Sequence, residues 1–187
     1  MPNRFATDPA DHVDGPASAA VTIIEYGDYE CPSCLQAQGA LKVLMPHFTG
    51  RVRFAFRHHP LREVHPHAEL AAEAAEAAGA QGKFWQMHEL LFANQQHLEE
   101  KHLFGYAEQI GLDIARYQNE MRDRIYLQRV HEHIQSGRNA GVRATPAFYV
   151  NGSFVDVSFG LQHLHEAIDR ALASFSAAAA PVNNRPF

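Results

Sequence analysis

Two cysteines, Cys31 and Cys34, are the only thiols of the chain, and two residues separate them. A helix is predicted to begin at Pro32. The N–H group of a first helical residue has no partner within the helix, so proline, which lacks that group, loses no hydrogen bond there. Residues three apart on a helix share one face, so a modest rotamer adjustment brings the two sulfurs to bonding distance. The dipole and the free N–H groups of the helix N-terminus favour a thiolate at Cys31. The pattern predicts thiol–disulfide exchange, with Cys31 as the exposed nucleophile and Cys34 as the buried resolving thiol.

An isolated Cys-x-x-Cys motif also occurs by chance, as a structural thiol pair, or as half of a zinc site. A disulfide between these cysteines would close only a very short loop, so it would contribute little to the stability of a fold of this size. Structural zinc normally takes four ligands, and the chain has no second such motif. His58 and His59 are predicted to point to opposite sides of a strand, and a proline separates His65 from His67. We therefore expect no metal site. Five further histidines are assigned to separate helices and given no role: His88, His97, His102, His131 and His133.

The elements that must position the cysteines follow from hydrophobic periodicity and turn residues. Strands are predicted at 21–26, 51–57, 148–150 and 153–157, with a hairpin turn at Asn151-Gly152. Helices are predicted at 32–48, 67–78, 83–94, 99–110 and 113–136, and a closing helix carries apolar residues from Leu161 to Phe175. The order of elements predicts an α/β domain that a block of helices interrupts.

Composition excludes several classes of protein. The 187 residues are 46% hydrophobic and 20% charged, as in an ordinary globular domain. The net charge of −5 and the lack of a basic block give no reason to expect nucleic acid or an anionic membrane as partner. No apolar run approaches the length of a membrane span. The N-terminus lacks the pattern of a secretory signal, so we expect a cytoplasmic protein, or a periplasmic one if a signal peptide has been removed.

Three segments together carry a resemblance that covers about Asp11 to Phe175. They read VTIIEYGDYECPSC, HPLREVHPHAELAAEAAEAA and GVRATPAFYVNG. In these segments the chain resembles the DsbA-like disulfide oxidoreductases of the thioredoxin fold, and it is also similar to thioredoxin domains appended to bacterial sodium/proton antiporters. The resemblance implies a mixed central sheet flanked by helices, with an inserted helical subdomain. The implied boundaries are a lead-in at 1–20, a thioredoxin-fold domain at 21–59 and 141–176, four inserted helices at 60–140, and a frayed tail at 177–187.

The resemblance also assigns roles to individual residues. Cys31 matches the nucleophile and Cys34 the resolving thiol. Pro146 matches the cis-proline that faces the active site in this fold, and with Thr145 before it shapes the substrate groove. Glu25 matches a buried carboxylate near the thiols, whose pKa burial would raise and which can relay a proton to or from Cys34.

The pair between the cysteines, Pro32-Ser33, departs from the best-known members of the family. The strong periplasmic oxidant has a histidine at the position of Ser33, and thioredoxin has Gly-Pro between its cysteines. Serine offers a hydroxyl group but no positive charge. We therefore expect a thiolate less stabilised than in the strong oxidant, and a reduction potential between the two extremes.

These residues predict a protein thiol–disulfide oxidoreductase that acts through a mixed disulfide. Its partners would be protein or peptide thiols and disulfides, together with a recycling partner that the sequence does not name. No cofactor is expected, because the dithiol itself carries the two electrons. A monomer is expected, because no separate dimerisation domain is visible. The alternative function is a redox-sensing module that docks a partner such as a membrane transporter.

Overall fold

Five strands form one mixed sheet in the computed structural model, which describes residues 7–179 of the chain. They are β1 (His12–Asp14), β2 (Val21–Gly27), β3 (Val52–His58), β4 (Ala147–Val150) and β5 (Ser153–Val155). The strands lie in the order β1-β3-β2-β4-β5. β2 runs parallel to β3, and the other neighbouring pairs are antiparallel. This arrangement confirms the predicted mixed sheet.

Helices pack around the sheet and fill the interval between its third and fourth strands. They are α1 (Pro32–Leu44), α2 (Ala68–Gly79), α3 (Phe84–Ala93), α4 (Glu100–Gln109), α5 (Ile114–Arg122), α6 (Leu127–Ala140) and α7 (Gln162–Ala179). A 3₁₀ turn, Met45–Phe48, extends α1. The core joins apolar residues of the central strand β2, such as Ile23, to Leu41 of α1 and Ile168 of α7. Helices α2 to α6 form the insertion between β3 and β4.

The predicted helix at 113–136 is wrong as a single helix, because the chain breaks between α5 and α6. Arg124 has φ 52°, in the left-handed region that an α-helix does not accommodate. Its guanidinium Nε donates a hydrogen bond of 2.8 Å to Glu73 of α2, which offsets that conformation. In one continuous helix Ile125 would share a face with the buried Tyr117 and Met121, but it is 57% exposed. The insertion therefore has five helices rather than the four expected.

The lead-in, expected to be irregular, contains the edge strand β1. His12 pairs with Phe56 across β1 and β3, although three residues are too few for a periodic signal. The preceding Asp11 carboxylate accepts hydrogen bonds of 3.0 and 2.7 Å from the Arg57 guanidinium, and the pair is buried. At the other end, residues 177–179 belong to α7 where a frayed tail was expected, and the rest of that tail, 180–187, lies outside the described residues.

The Asn151-Gly152 turn connects β4 to β5. Asn151 has φ 46° and Gly152 has φ 85°, and positive φ at both central residues is the mark of a type I′ hairpin turn. Val150 and Ser153 pair on either side of it. The Asn151 side-chain oxygen also accepts the backbone N–H of Thr22 at 2.8 Å. The predicted hairpin is confirmed, and its turn is fastened to the central strand.

Two histidines of the insertion, His88 and His133, are each only 3% exposed. Burial lowers the pKa of His88 to about 3 and that of His133 to about 4. At any pH between these values and the ordinary histidine pKa of about 6.5, the histidine binds a proton in the unfolded chain but not in the folded chain. Each histidine therefore contributes stability that is fully present above about pH 6.5 and is lost as the pH falls, by up to about 1.4 kcal/mol per pH unit.

We expect the free energy of unfolding, measured by urea titration, to fall by about 2 kcal/mol for each of these histidines between pH 6.5 and pH 5. The variant His88→Gln keeps a polar partner for the Tyr29 hydroxyl, which lies 3.0 Å from His88 Nδ1, but does not titrate. Its stability should therefore depend less steeply on pH. The exposed His47 supplies the matched control, His47→Gln. Equal slopes for the wild type and His88→Gln would contradict this account.

Candidate active site

Cys31 and Cys34 lie where the chain leaves β2 and begins α1. Cys31 is the N-cap, with φ −74° and ψ 120°, and Pro32 is the first helical residue, as predicted. The backbone N–H groups of Cys34 and Leu35 donate to the Cys31 carbonyl at 3.1 and 3.2 Å. Both cysteines are free thiols, and Cys34 is fully buried. Cys31 is 7% exposed, less than predicted, because its Sγ faces the Thr145 carbonyl at 3.3 Å instead of solvent.

The surroundings shift the pKa values of the two thiols in opposite directions. A hydrogen bond with the Cys34 side chain is the largest influence on Cys31 and lowers its pKa to about 5, against the opposing effect of partial burial. Backbone N–H groups of Ser33 and Cys34 at the helix start add to this effect. Burial raises the pKa of Cys34 far above its ordinary value, and the hydrogen bond to Cys31 and the charge of Glu25 raise it further. One sulfur is thus a stable thiolate and the other a stable thiol.

Glu25 is fully buried on β2, between Phe56 of β3 and Phe148 of β4. Burial raises the pKa of its carboxyl group to about 8, and the negative charge of Cys31 adds to the shift. Oε2 accepts a long hydrogen bond of 3.4 Å from Gln38 Nε2, and Oε1 has no hydrogen-bond partner among the described residues. A carboxyl group of this kind can hold or release a proton near neutral pH.

Thr145 and Pro146 lie on the loop that leads into β4 and meets the start of α1. The peptide bond between them is cis. Beside this loop and the cysteines lies a cavity of about 540 Å³. Its lining includes Ser33, Ala37, Thr145, Pro146, Phe154 and Leu161. Pro32 and Ser33 are themselves exposed at the mouth of the site. The structure thus brings the predicted site residues together around Cys31, with Cys34 and Glu25 fully buried behind the exposed mouth.

Asp28, which the sequence analysis did not single out, braces the loop between β2 and Cys31. Its buried carboxylate accepts the backbone N–H groups of Glu30 and Leu61, both at 2.8 Å. His65 Nδ1 lies 2.7 Å from the second carboxylate oxygen. The backbone N–H of Asp28 in turn points at Cys34 Sγ at 3.5 Å. The feature of the sequence that could have pointed to Asp28 is that it is a polar residue directly after a buried strand.

Gln95 is a second residue that the sequence analysis missed. It lies between α3 and α4, and its side-chain Nε2 donates to the carbonyls of Tyr29 and Cys31 at 2.9 and 2.8 Å. The inserted helices therefore hold the backbone of the nucleophile directly. Nothing in the sequence marks this residue, because the contact depends on how the insertion packs against the sheet.

We expect Asp28→Ala to lower the free energy of unfolding by about 3–5 kcal/mol, because two backbone N–H groups and His65 lose a buried anionic partner. Urea titration measures this loss. Asp156→Ala is the matched control, since the exposed Asp156 carboxylate accepts hydrogen bonds from its near neighbour Ser158 and its loss should change stability by less than about 0.5 kcal/mol. Similar losses for the two variants would show that Asp28 does not brace the loop.

The histidines group in ways that the sequence analysis did not foresee. Assigning five of them to separate helices was wrong: His131 and His133 share α6, and His97 lies in the segment before α4, which carries His102. Two clusters among the described residues hold at least three donor groups of the kind that bind metals. They are His58, Glu76 and His133, which are buried, and His97, Glu99 and His102, which are at the surface.

Comparison with known proteins places this geometry in context. The family model described as thioredoxin matches residues 7–170. Among solved structures, a thioredoxin-like oxidoreductase from Silicibacter pomeroyi superposes with a TM-score of 0.75 at 29% identity, covering 92% of this chain and 95% of that one. Oxidised BdbD from Bacillus subtilis gives a TM-score of 0.76 at 24% identity, covering 88% and 94%. The second likeness shows the fold alone.

The curated relatives, unlike these solved structures, are named as antiporters. The Na⁺/H⁺ antiporter NhaA 1 of Salinispora arenicola is 46% identical over 163 residues, which are 87% of this chain and 25% of that protein. The antiporter NhaA of Herminiimonas arsenicoxydans is 40% identical over 142 residues, 76% of this chain and 22% of that protein. The chain thus spans about a quarter of the length of these relatives. No helix among residues 7–179 is long and apolar enough to cross a membrane.

Proposed function

Because the chain belongs to the thioredoxin family, we propose that it is a protein thiol–disulfide oxidoreductase with Cys31 and Cys34 as its redox pair. The observation that carries the proposal is the contrast between the two sulfurs. Cys31, with a pKa lowered to about 5, is a thiolate at neutral pH, while the buried Cys34 retains its proton. A nucleophile beside a protonated second thiol is what exchange through a mixed disulfide requires.

The reaction balances as a transfer of two electrons and one proton, because Cys31 is already ionised at the start and the second substrate sulfur leaves as a thiolate. The Cys31 thiolate attacks one sulfur of a substrate disulfide, forms a mixed disulfide, and expels the other sulfur as a thiolate that takes up a proton. Cys34 then loses its proton and attacks the Cys31 sulfur, which releases the second substrate thiolate. Cys31 and Cys34 are left as a disulfide, and substrate oxidation is the reverse sequence. No cofactor takes part in these steps.

Glu25 is the proposed acceptor of the Cys34 proton. Its pKa, raised to about 8 by burial and by the Cys31 charge, suits a group that exchanges a proton near neutral pH. Once Cys31 is bonded to substrate, its negative charge is gone, so Glu25 ionises more easily when Cys34 must lose its proton. The negative charge of the ionised carboxylate raises the pKa of Cys34, so transfer of the Cys34 proton to Glu25 removes that charge as the Cys34 thiolate forms.

The cavity beside Thr145 and Pro146 is the proposed substrate groove. The Thr145 carbonyl lies 3.3 Å from Cys31 Sγ, so a chain segment bound along this loop presents its sulfur to the nucleophile. Backbone pairing of an extended segment, with apolar contacts to Phe154 and Leu161, suits protein or peptide substrates of varied sequence.

The decisive test is the reduction potential of the Cys31–Cys34 pair, measured by equilibration in glutathione buffers and alkylation of free thiols. With Ser33 between the cysteines, we expect a value between about −270 mV for thioredoxin and −120 mV for the strong oxidant. A value at either extreme would contradict the effect assigned to Ser33. A pair that forms no disulfide at any ratio would contradict the function itself. The potential and the compartment together set whether the protein reduces or oxidises its substrates.

A redox-sensing module is the second candidate, which the antiporter relatives favour. In this function the state of Cys31 and Cys34 governs docking to a membrane transporter of that type. Binding of the oxidised and reduced protein to vesicles that contain such an antiporter distinguishes the two cases. Equal affinity in both redox states would leave the oxidoreductase as the supported function.

A further inference from the structure

The segment between α3 and α4 places two histidines and a glutamate side by side at the surface. His102 Nδ1 lies 2.7 Å from Glu99 Oε2, and the His97 and His102 rings are 5.1 Å apart between centroids. One donor atom from each of the three residues lies within 4.8 Å of the other two. Six consecutive residues thus supply three groups that can meet on one ion.

The backbone of this segment is held at His97 and Leu98. The His97 N–H donates to the Asn94 carbonyl at 2.8 Å, and its carbonyl accepts from the Tyr106 hydroxyl at 2.8 Å. Leu98, between two of the donor residues, is buried in the core. The donors therefore project from a fixed backbone, so binding an ion costs mainly side-chain freedom.

The donor set has a definite chemistry. Two imidazoles and a carboxylate suit Zn²⁺ and similar divalent ions of intermediate softness, and suit Ca²⁺ or Mg²⁺ poorly. Ligands about 2.0–2.1 Å from a tetrahedral ion lie roughly 3.4 Å apart, so Glu99 and His102 need to separate only slightly. His97 and Glu99 face solvent, so water can complete the coordination.

The buried cluster offers no comparable opening. Both oxygens of Glu76 already contact histidines, His12 at 3.0 Å and His58 at 2.9 Å. His133 Nδ1 accepts the backbone N–H of His58 at 3.2 Å, so its lone pair is in use. An ion there would displace an existing network in the interior, whereas an ion at the surface cluster replaces a single contact between Glu99 and His102.

We propose that His97, Glu99 and His102 form a binding site for Zn²⁺ or a chemically similar divalent transition-metal ion. The site is separate from the thiols, yet Gln95, two residues before His97, holds the Cys31 carbonyl. An occupied site therefore fixes the segment that supports the nucleophile. This inference does not depend on the redox activity of the cysteines.

The test is calorimetric titration of Zn²⁺ into protein whose cysteines cannot bind metal. Cys31→Ser/Cys34→Ser protein serves this purpose even if the two cysteines form no disulfide, so the result is independent of the proposed function. We expect one ion per chain. The further change His97→Ala/His102→Ala should weaken binding at least about 100-fold, since loss of outer-sphere partners alone weakens metal sites about 10–100-fold. Co²⁺ in place of Zn²⁺ should give visible absorption that the same change abolishes.

Two further variants make the result specific. His163→Ala/His165→Ala removes two histidines of α7, one of them 3.4 Å from a carboxylate oxygen of Asp169, and should leave the affinity unchanged. Glu99→Gln removes the anionic ligand and should weaken binding at least about tenfold, by the same measure. Equal losses for the His163/His165 and His97/His102 variants would show scattered surface binding and overturn the proposal. Absence of binding at millimolar Zn²⁺ would overturn it as well.

Discussion

Replacement of Cys31 by serine is expected to abolish reduction of a fluorescent disulfide peptide, with a loss of at least about 10³-fold in rate. A serine hydroxyl is not ionised at neutral pH, whereas a thiol whose pKa is about 5 is almost wholly thiolate there. The thiolate is the species that attacks a disulfide. Initial rates with saturating reductant measure the loss.

Cys34→Ser is the companion variant and should behave differently. Its Cys31 can still attack, but nothing resolves the product, so a mixed disulfide at Cys31 should accumulate and appear by mass spectrometry as the mass of one attached peptide. Exchanged behaviour of the two variants would reverse the assigned roles. Substantial peptide reduction by Cys31→Ser would remove this pair from the reaction.

Glu25→Gln is expected to slow resolution of the mixed disulfide by about 10²-fold, because Cys34 loses its proton acceptor. In the wild type, the rate of resolution should rise with pH through the pKa of Glu25, since only the ionised carboxylate accepts a proton. In the mixed disulfide that pKa lies below the value of about 8 found beside the Cys31 thiolate, because the Cys31 charge is gone. The variant should lack that inflection. The preformed mixed disulfide is mixed rapidly into buffers between about pH 6 and pH 9, a range that spans the midpoint of the inflection. Acid quenching at successive times then measures both effects.

A second buried glutamate provides the control for this experiment. Glu73 on α2 also has a pKa raised by burial, but it pairs with Arg124 in the insertion. Glu73→Gln should therefore leave the pH profile of resolution unchanged. The same inflection surviving in Glu25→Gln would mean that another group accepts the Cys34 proton.

The parts of the fold that local pattern determines were predictable. The alternating and β-branched strands, the start of α1 at Pro32 and the Asn151-Gly152 hairpin each depend on a few neighbouring residues, and the structure has all of them. The break at Arg124 was not predictable, because its left-handed backbone is offset by the distant Glu73. Strand β1 was missed for a similar reason, since it depends on pairing with β3 and on the buried partner of Asp11.

The candidate site divides in the same way. The residue type and spacing of Cys31 and Cys34 were enough to predict thiol–disulfide exchange. Glu25, Thr145 and Pro146 were predicted only from the resemblance to a family. Gln95 supports the nucleophile from 64 positions away. No spacing rule connects residues that meet only through tertiary packing, so such supporting contacts appear only in the folded structure.

The contact between Cys31 and Thr145 joins residues 114 positions apart, with the six helices α1 to α6 between them. Those helices form from local contacts, whereas closing so long an interval is entropically slow, so β4 is expected to join the sheet late. A ribosome releases the cysteines long before it releases β4. The growing chain therefore displays its nucleophile without the loop that covers it, and the thiol gains its final surroundings only after β4 has been synthesised.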